Sequence, residues 1–363
     1  MRKDLKNLVQ EWFLENEYNL FFKMEECQHG YLGINPNLYH LEGNIWKHTK
    51  MVLDEVEKLD NPSIELYLIA LLHDTGKPFT YFDNHELRRR RFTNHEAYST
   101  FEAKRILDKF AEQVVEIDKE IILKTIANHG RFYNYMKEDG LTKEGKEAIF
   151  QMYKKDLRAF DYMVDFFKCD HNGRITNLTR SGKEVQDDFK KIREGISNYY
   201  QVLSAEVRPT LRLLVGPPRV GKTTFIKEKI DNKKEYIISR DELVESLGIG
   251  NNYSEKWNSL TDEDQQMIDQ ELQKRFKQAV DVGLNIVIDM TNMSPKSRRK
   301  WLLSDKKLKN YHKIANVFIE DLDTLDSRNS EEKWIDRKIL KNMIIRFSYP
   351  MYDEFDEIKL MTI

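Results

Sequence analysis

Apolar residues recur at helical spacing through the first half of the chain. Ile45, Val52, Val56 and Leu59 mark one face of a segment from Asn44 to Leu59. The run Leu66 to Leu72, interrupted only by Tyr67, predicts a buried helix over Ile64 to Leu72. Further helices are expected over Asp118 to Asn128 and Asp156 to Cys169, with connections at Gly30, Gly33, Pro62, Gly76, Pro78 and Gly130. After Val207-Arg208-Pro209 the pattern changes. Short apolar runs at Arg212 to Val215, Tyr236 to Ser239, Asn285 to Asp289 and Ala315 to Ile319 alternate with charged helices, which predicts a parallel α/β sheet. At 363 residues the chain has room for two cores. Two domains are therefore expected: an all-α helical bundle over 1–204 and an α/β domain with a parallel sheet over 205–363, divided at about residue 205.

Composition narrows the function classes. With 59 basic and 61 acidic side chains the net charge is −2, so the field of the whole molecule recruits no polyanion. Contact with nucleic acid must come from local patches such as Arg88 to Arg91. Cys27 and Cys169 are too few for a disulfide framework, and a reducing cytoplasm is the simplest compartment. No apolar run approaches membrane-spanning length, and the first residues lack a signal-type hydrophobic block, so no membrane partner is expected.

The strand Leu211 to Val215 runs into Gly216-Pro217-Pro218-Arg219-Val220-Gly221-Lys222-Thr223-Thr224. This is the spacing GxxxxGK[ST], whose accidental occurrence in a chain of this length is roughly one in a hundred at average residue frequencies. Glycines let backbone N–H groups turn inward on a phosphate, Lys222 supplies a charge to the β/γ oxygens, and the Thr223 hydroxyl is placed to ligate Mg2+. ATP or another nucleoside triphosphate with Mg2+ is the expected cofactor. Ligands of a parallel sheet lie at the carboxyl ends of its strands, so Asp241, just after Tyr236 to Ser239, is a candidate general base. Asp289 ends another strand as a Walker-B-like carboxylate, and Asn292 follows it. The bland alternative for both carboxylates is capping of the next helix.

The first half holds a series of histidines and acids at helix ends or on apolar faces: His48, His73-Asp74 followed by Thr75-Gly76-Lys77-Pro78, His95-Glu96, Asn128-His129-Gly130 and Cys169-Asp170. A core histidine would look the same as His48. This order, and the phrase HDTGKP above all, resembles the HD phosphohydrolase superfamily over roughly residues 40 to 175. The resemblance implies a helical bundle in which His48, His73, Asp74 and Asp170 ligate one divalent metal while His95 and His129 complete a second site. Imidazole and carboxylate suit Mn2+, Fe2+, Co2+, Ni2+ or Zn2+, and one ion or two can assist hydrolysis of a phosphoester. Lys77 and Arg88 to Arg91 are candidates to neutralise a non-bridging oxygen. His29, His40, His85, His171 and His312 fit no spacing and are expected to be ordinary.

In the second half, GPPRVGKT, SRD, IDMTN with Pro295 and Arg298-Arg299, and Asp326-Ser327-Arg328-Asn329-Ser330 resemble the kinase domain of polynucleotide 5′-kinases over about residues 210 to 350. The resemblance implies that Asp241 activates a 5′-hydroxyl and that Arg328 to Arg337 belong to a lid closing over the nucleotide. Two positions depart from that pattern. Val244 stands where an acceptor-gripping arginine is common, and Glu331-Glu332-Lys333 stand before Arg337, the nearest candidate for a second lid arginine. The order of the two halves resembles HD domain polynucleotide kinases. That likeness implies an enzyme of RNA or DNA ends with 5′-hydroxyl kinase and 2′,3′-phosphoesterase activities, leaving the sealing step to a separate ligase. The rival readings are a nucleoside or small-nucleotide kinase fused to a nucleotidase, and a nucleotide-sensing regulatory module.

Overall fold

The computed structural model describes residues 4–32, 37–137, 140–176, 183–199, 208–330 and 333–361. Gly33, boundary residues 204–207, Glu331 and Glu332 lie outside the described residues. The chain divides into two compact units, Met1–Leu203 and Ser204–Ile363.

The first unit is helical. In chain order it contains α1 (Leu5–Asn16), α2 (Tyr18–Glu26), α3 (Ile45–Glu57), α4 (Ile64–Leu72), the short α5 (Lys77–Thr80), α6 (His95–Gln113), α7 (Lys119–Asn128), α8 (Lys143–Tyr153), α9 (Leu157–Asn172) and α10 (Lys183–Tyr199). Apolar on every side from Leu66 to Leu72, α4 forms the centre and packs against α1, α3, α7 and α9. Side-chain caps set where its partners begin. Asn44 accepts from Lys47 N at 2.7 Å, Asp118 from Ile121 N at 3.1 Å and Asp156 from Ala159 N at 2.9 Å. Each such cap contributes about 1 kcal/mol. Gly76 lets the first turn of α6 approach the end of α4, since a Cβ there would lie 2.5 Å from the His95 carbonyl oxygen.

Two small antiparallel ribbons interrupt this helical unit: β1 (Tyr81–Asn84) with β2 (Arg89–Phe92), and β3 (Met136–Lys137) with β4 (Gly140–Leu141). The run Arg88 to Arg91 thus lies largely on a strand. The register sets Asp83 opposite Arg90, and their bidentate pair at 2.8 and 2.7 Å ties the ribbon together.

The second unit is built on a parallel five-stranded sheet in the order β6–β7–β5–β8–β9. Its strands are β5 (Thr210–Val215), β6 (Glu235–Ser239), β7 (Asn285–Asp289), β8 (His312–Phe318) and β9 (Glu357–Met361). Its helices are α11 (Lys222–Lys229), α12 (Arg240–Leu247), α13 (Tyr253–Ser259), α14 (Asp262–Asp281), α15 (Pro295–Leu302), α16 (Leu322–Ser327) and α17 (Arg337–Ile345). The central strand β5 is flanked on both sides, and Leu211, Leu213, Leu214 and Val215 are fully buried. β9 was not among the strands read from the sequence: Glu357 and Lys359 break its short apolar pattern. Arg298, which the kinase resemblance singles out, is fully buried. It pairs with Glu354 and donates to the carbonyls of Asn292 and Ser348, and so clamps α15 to the segment before β9.

Candidate functional site

In the first unit His73 and Asp74 close α4, His48 faces inward from the first turn of α3, His95 opens α6, His129 caps α7 and Asp170 lies in the last turn of α9. Each of the four histidines sets Nδ1 against a main-chain carbonyl: His48 on Gly173 at 3.1 Å, His73 on Ala70 at 2.9 Å, His95 on Phe92 at 3.1 Å and His129 on Ile126 at 2.7 Å. A carbonyl oxygen only accepts, so Nδ1 carries the proton and Nε2 is left to meet another proton or a cation. The Nε2 atoms of His95 and His129 face each other at 3.3 Å, an arrangement of two lone pairs that calls for positive charge.

Asp74 stands between two groups. One oxygen lies 3.1 Å from His73 Nε2 and 3.8 Å from His48 Nε2, and the other lies 3.2 Å from His95 Nε2 and 3.9 Å from His129 Nε2. Ligand atoms of His48, His73 and Asp74 fall within 4.8 Å of one another, as do those of Asp74, His95 and His129. Asp170 adds an oxygen 3.1 Å from His48 Nε2. His73 Nε2 is buried without a hydrogen bond, and the Asp74 oxygens meet only imidazole edges and the Lys77 ammonium. A buried nitrogen left so costs on the order of 1–3 kcal/mol, and a bound cation removes the cost. The donor set of neutral imidazoles and carboxylates suits a divalent transition metal.

The charges already present agree with that demand. Burial pushes the Asp74 carboxyl up, but His73, Lys77 and the neighbouring His95 outweigh it and hold the group well below the usual carboxylate range. Burial likewise opposes ionisation of Asp170, and Arg174 with His48 overcomes it. Burial lowers His48, yet Asp170 and Glu42 raise it to about 8. His129 is pushed down to about 4 by burial and then by His95.

Cationic and orienting groups ring the centre. Lys77 Nζ is 2.7 Å from Asp74 and 3.3 Å from His29 Nε2. Arg174 Nε donates to the Asp170 carbonyl at 3.2 Å, its guanidinium also meets the Tyr133 hydroxyl, and Tyr133 donates to Asp170 at 2.6 Å. Glu42 accepts from His40 Nδ1 at 2.7 Å and lies 3.1 Å from His48 Nδ1, while its other oxygen takes the Ile175 N–H at 3.0 Å. His29 and His40 stack at 4.2 Å and are not ordinary surface residues: they sit against Lys77 and Glu42. No spacing points to them because they lie between α2 and α3, outside helical periodicity. Arg174 lies two residues past the end of α9, beyond helical periodicity, and no spacing points to it either. Arg90, by contrast, is occupied by Asp83 and the Gln28 carbonyl.

In the second unit the loop after β5 begins where a Cβ on Gly216 would lie 2.7 Å from the Phe318 carbonyl oxygen, and Gly216 N–H donates to Thr291 at 2.9 Å. Arg219 and Gly221 take left-handed φ values of 66° and 97°, which curl residues 216–221 into a cradle ahead of α11. Pro217 and Val220 are buried, Pro218 and Arg219 half-buried, and Thr223 and Thr224 exposed on the first turn of α11. Lys222 folds over its own loop, donating to the carbonyls of Gly216 at 3.0 Å and Pro217 at 2.6 Å, and burial lowers it to about 8.

Two family models match the chain: an HD domain over residues 45–162 and an AAA domain over residues 211–333. The chain is an HD domain joined to a P-loop kinase-like domain. No curated protein matches it. Asp170 and Arg174 of the HD centre stand beyond the matched span, yet the fold brings them to it. HD domains bind divalent metals and P-loop kinases use a nucleoside triphosphate with Mg2+, which places hydrolytic and kinase chemistry on one nucleotide-related chain. Among the described residues no helix is long and apolar enough to cross a membrane.

Around the kinase-like loop, the register sets Ser239 level with Asp289, and their side chains meet at 3.4 Å. Burial raises the Asp289 carboxyl, opposed by Lys222. Arg328 donates to the Arg219 carbonyl at 3.1 Å and so lies on the loop. Asn292 spends its amide on the Leu214 carbonyl at 2.9 Å, bracing the end of β5. Asp241 stands in the first turn of α12, where Tyr253 donates to it at 2.7 Å and Lys333 forms an ion pair with it. Arg337 is held by Asp323 and Asp326, and Val244 is buried in the core. Lys333, read in the sequence only as a residue before Arg337, is the cation laid on Asp241.

Proposed function

We propose that the chain heals broken nucleic-acid ends, transferring the γ-phosphoryl group of a nucleoside triphosphate to a 5′-hydroxyl and hydrolysing 2′,3′-cyclic, 2′- or 3′-phosphate ends. The observation that carries the reading is the presence, on one chain, of a cation-demanding imidazole–carboxylate pocket and a phosphate cradle with carboxylates at the ends of the next strands. In the kinase reaction Lys222 would turn from its loop carbonyls to the β/γ oxygens, Thr223 and Asp289 would hold Mg2+, Arg328 would face the nucleotide, and Asp241 would take the proton of the attacking hydroxyl. Asp241 first parts from Lys333. In the HD domain His48, His73, Asp74 and Asp170 would hold one metal, and Asp74, His95 and His129 a second; Mn2+, Fe2+, Co2+, Ni2+ and Zn2+ all suit these donors. Such ions supply Lewis acidity and an acidified water. Lys77 and Arg174 bring positive charge to the phosphoester, and the buried carboxylates and carbonyls hold the imidazoles in one tautomer.

The test supplies γ-labelled triphosphate with a 5′-hydroxyl oligonucleotide or with mononucleosides, and separately an oligonucleotide ending in a 2′,3′-cyclic phosphate with Mn2+. Label on the oligonucleotide and opening of the cyclic end are expected. Label on mononucleosides alone would overturn the reading in favour of a small-substrate enzyme.

A further inference from the structure

The kinase-like loop and Asp241 account for a phosphate and a hydroxyl, and neither says what the acceptor carries behind that hydroxyl. The first turns of α13 do. Tyr253 reaches Asp241 through its hydroxyl at 2.7 Å, so its ring stands one phenol length from that carboxylate. A ribose separates a nucleobase from its 5′-hydroxyl by a comparable span. Four residues on, Trp257 lies with its ring centre 6.3 Å from that of Tyr253 at an interplanar angle of 24°, and it is 39% exposed. Cations border both rings: Lys333 Nζ stands 3.9 Å over the Tyr253 ring and the Arg240 guanidinium 5.6 Å over the Trp257 ring. Lys333 is kept there by its neighbour, since Trp334 N–H donates to Ser254 Oγ at 2.9 Å.

We infer that Tyr253 and Trp257 form the subsite for the unpaired terminal nucleobase of a nucleic-acid acceptor, with Lys333 for the adjoining phosphate. The inference rests on Asp241 being the base of a 5′-hydroxyl kinase. Two near-parallel aromatic faces beside cations are the surface on which single-stranded nucleic acids stack, and every base offers a π-face, so the subsite takes any of the four. Lys333 lies over the Tyr253 face and would move to the backbone as the base arrives, which would also free Asp241. An arginine at position 244 is then not needed to grip the acceptor.

The experiment measures KM of the full chain for a 5′-hydroxyl oligonucleotide and for the same strand with an abasic terminal residue. At least about a fivefold higher KM is expected without the base. Tyr253→Leu removes that preference, Tyr253→Phe keeps it, and Trp257→Leu weakens it. Equal KM values for the two strands in the unaltered protein, or a preference that survives Tyr253→Leu, would overturn the subsite while leaving the kinase reading standing. Failure to label any oligonucleotide would overturn both.

Discussion

The two sites solve the problem of holding phosphate chemistry in opposite ways. The HD centre is assembled from side chains on α3, α4, α6, α7 and α9, buried and crowded with titratable groups. The kinase-like cradle is one contiguous loop whose main-chain turn does the shaping, with threonines open to solvent at its end. A side-chain site tolerates no missing member, because each loss strands a buried charge. A main-chain site tolerates most substitutions except at its glycines and its lysine.

Asp74→Asn breaks the comparison most severely. It removes an acid shared by both imidazole groups, so manganese uptake measured by calorimetry should vanish while γ-phosphate transfer persists. Persisting uptake would show that the imidazoles hold metal without their common carboxylate. Next in size, Arg298→Ala leaves Glu354 without its partner and should lower the stability of the kinase-like unit by about 3–5 kcal/mol in urea unfolding, with metal uptake retained. Lys222→Met should reduce phosphoryl transfer by about 10²–10³ and leave phosphoesterase activity unchanged. Loss of both activities would mean that the two sites act through a common element. The smallest effect tests the outer ring of the HD centre: Glu42→Gln should weaken manganese binding by about 10–100-fold, read by competition with a chelator, without abolishing it.

The same contrast explains what could be read in advance. Periodicity around Ile45, Val52 and Val56 revealed the helix carrying His48, and the apolar run of α4 revealed its burial. The phosphate loop was legible because strand, glycines and lysine are consecutive. What stayed hidden came from long-range register. Nothing in the chain order says that the loop between α2 and α3 returns His29, His40 and Glu42 to Lys77 and His48. Nor does spacing reveal that Lys333 pairs with Asp241, or that Arg298 is buried against Glu354 rather than turned to a ligand. Arg90 misled for a related reason: a cluster of like charges invites a phosphate, but one strand opposite supplied Asp83.

One detail of the HD centre bears on how such a pocket survives mutation. The partners that hold all four imidazoles in orientation are peptide oxygens of Ala70, Phe92, Ile126 and Gly173, and no side-chain replacement deletes a peptide oxygen. Ring posture is thus inherited from the course of the backbone. Gly173 shows the limit of that freedom: a Cβ there would lie 2.8 Å from the Val52 Cα, so the position stays glycine for the sake of the chain's path rather than for any contact of its own.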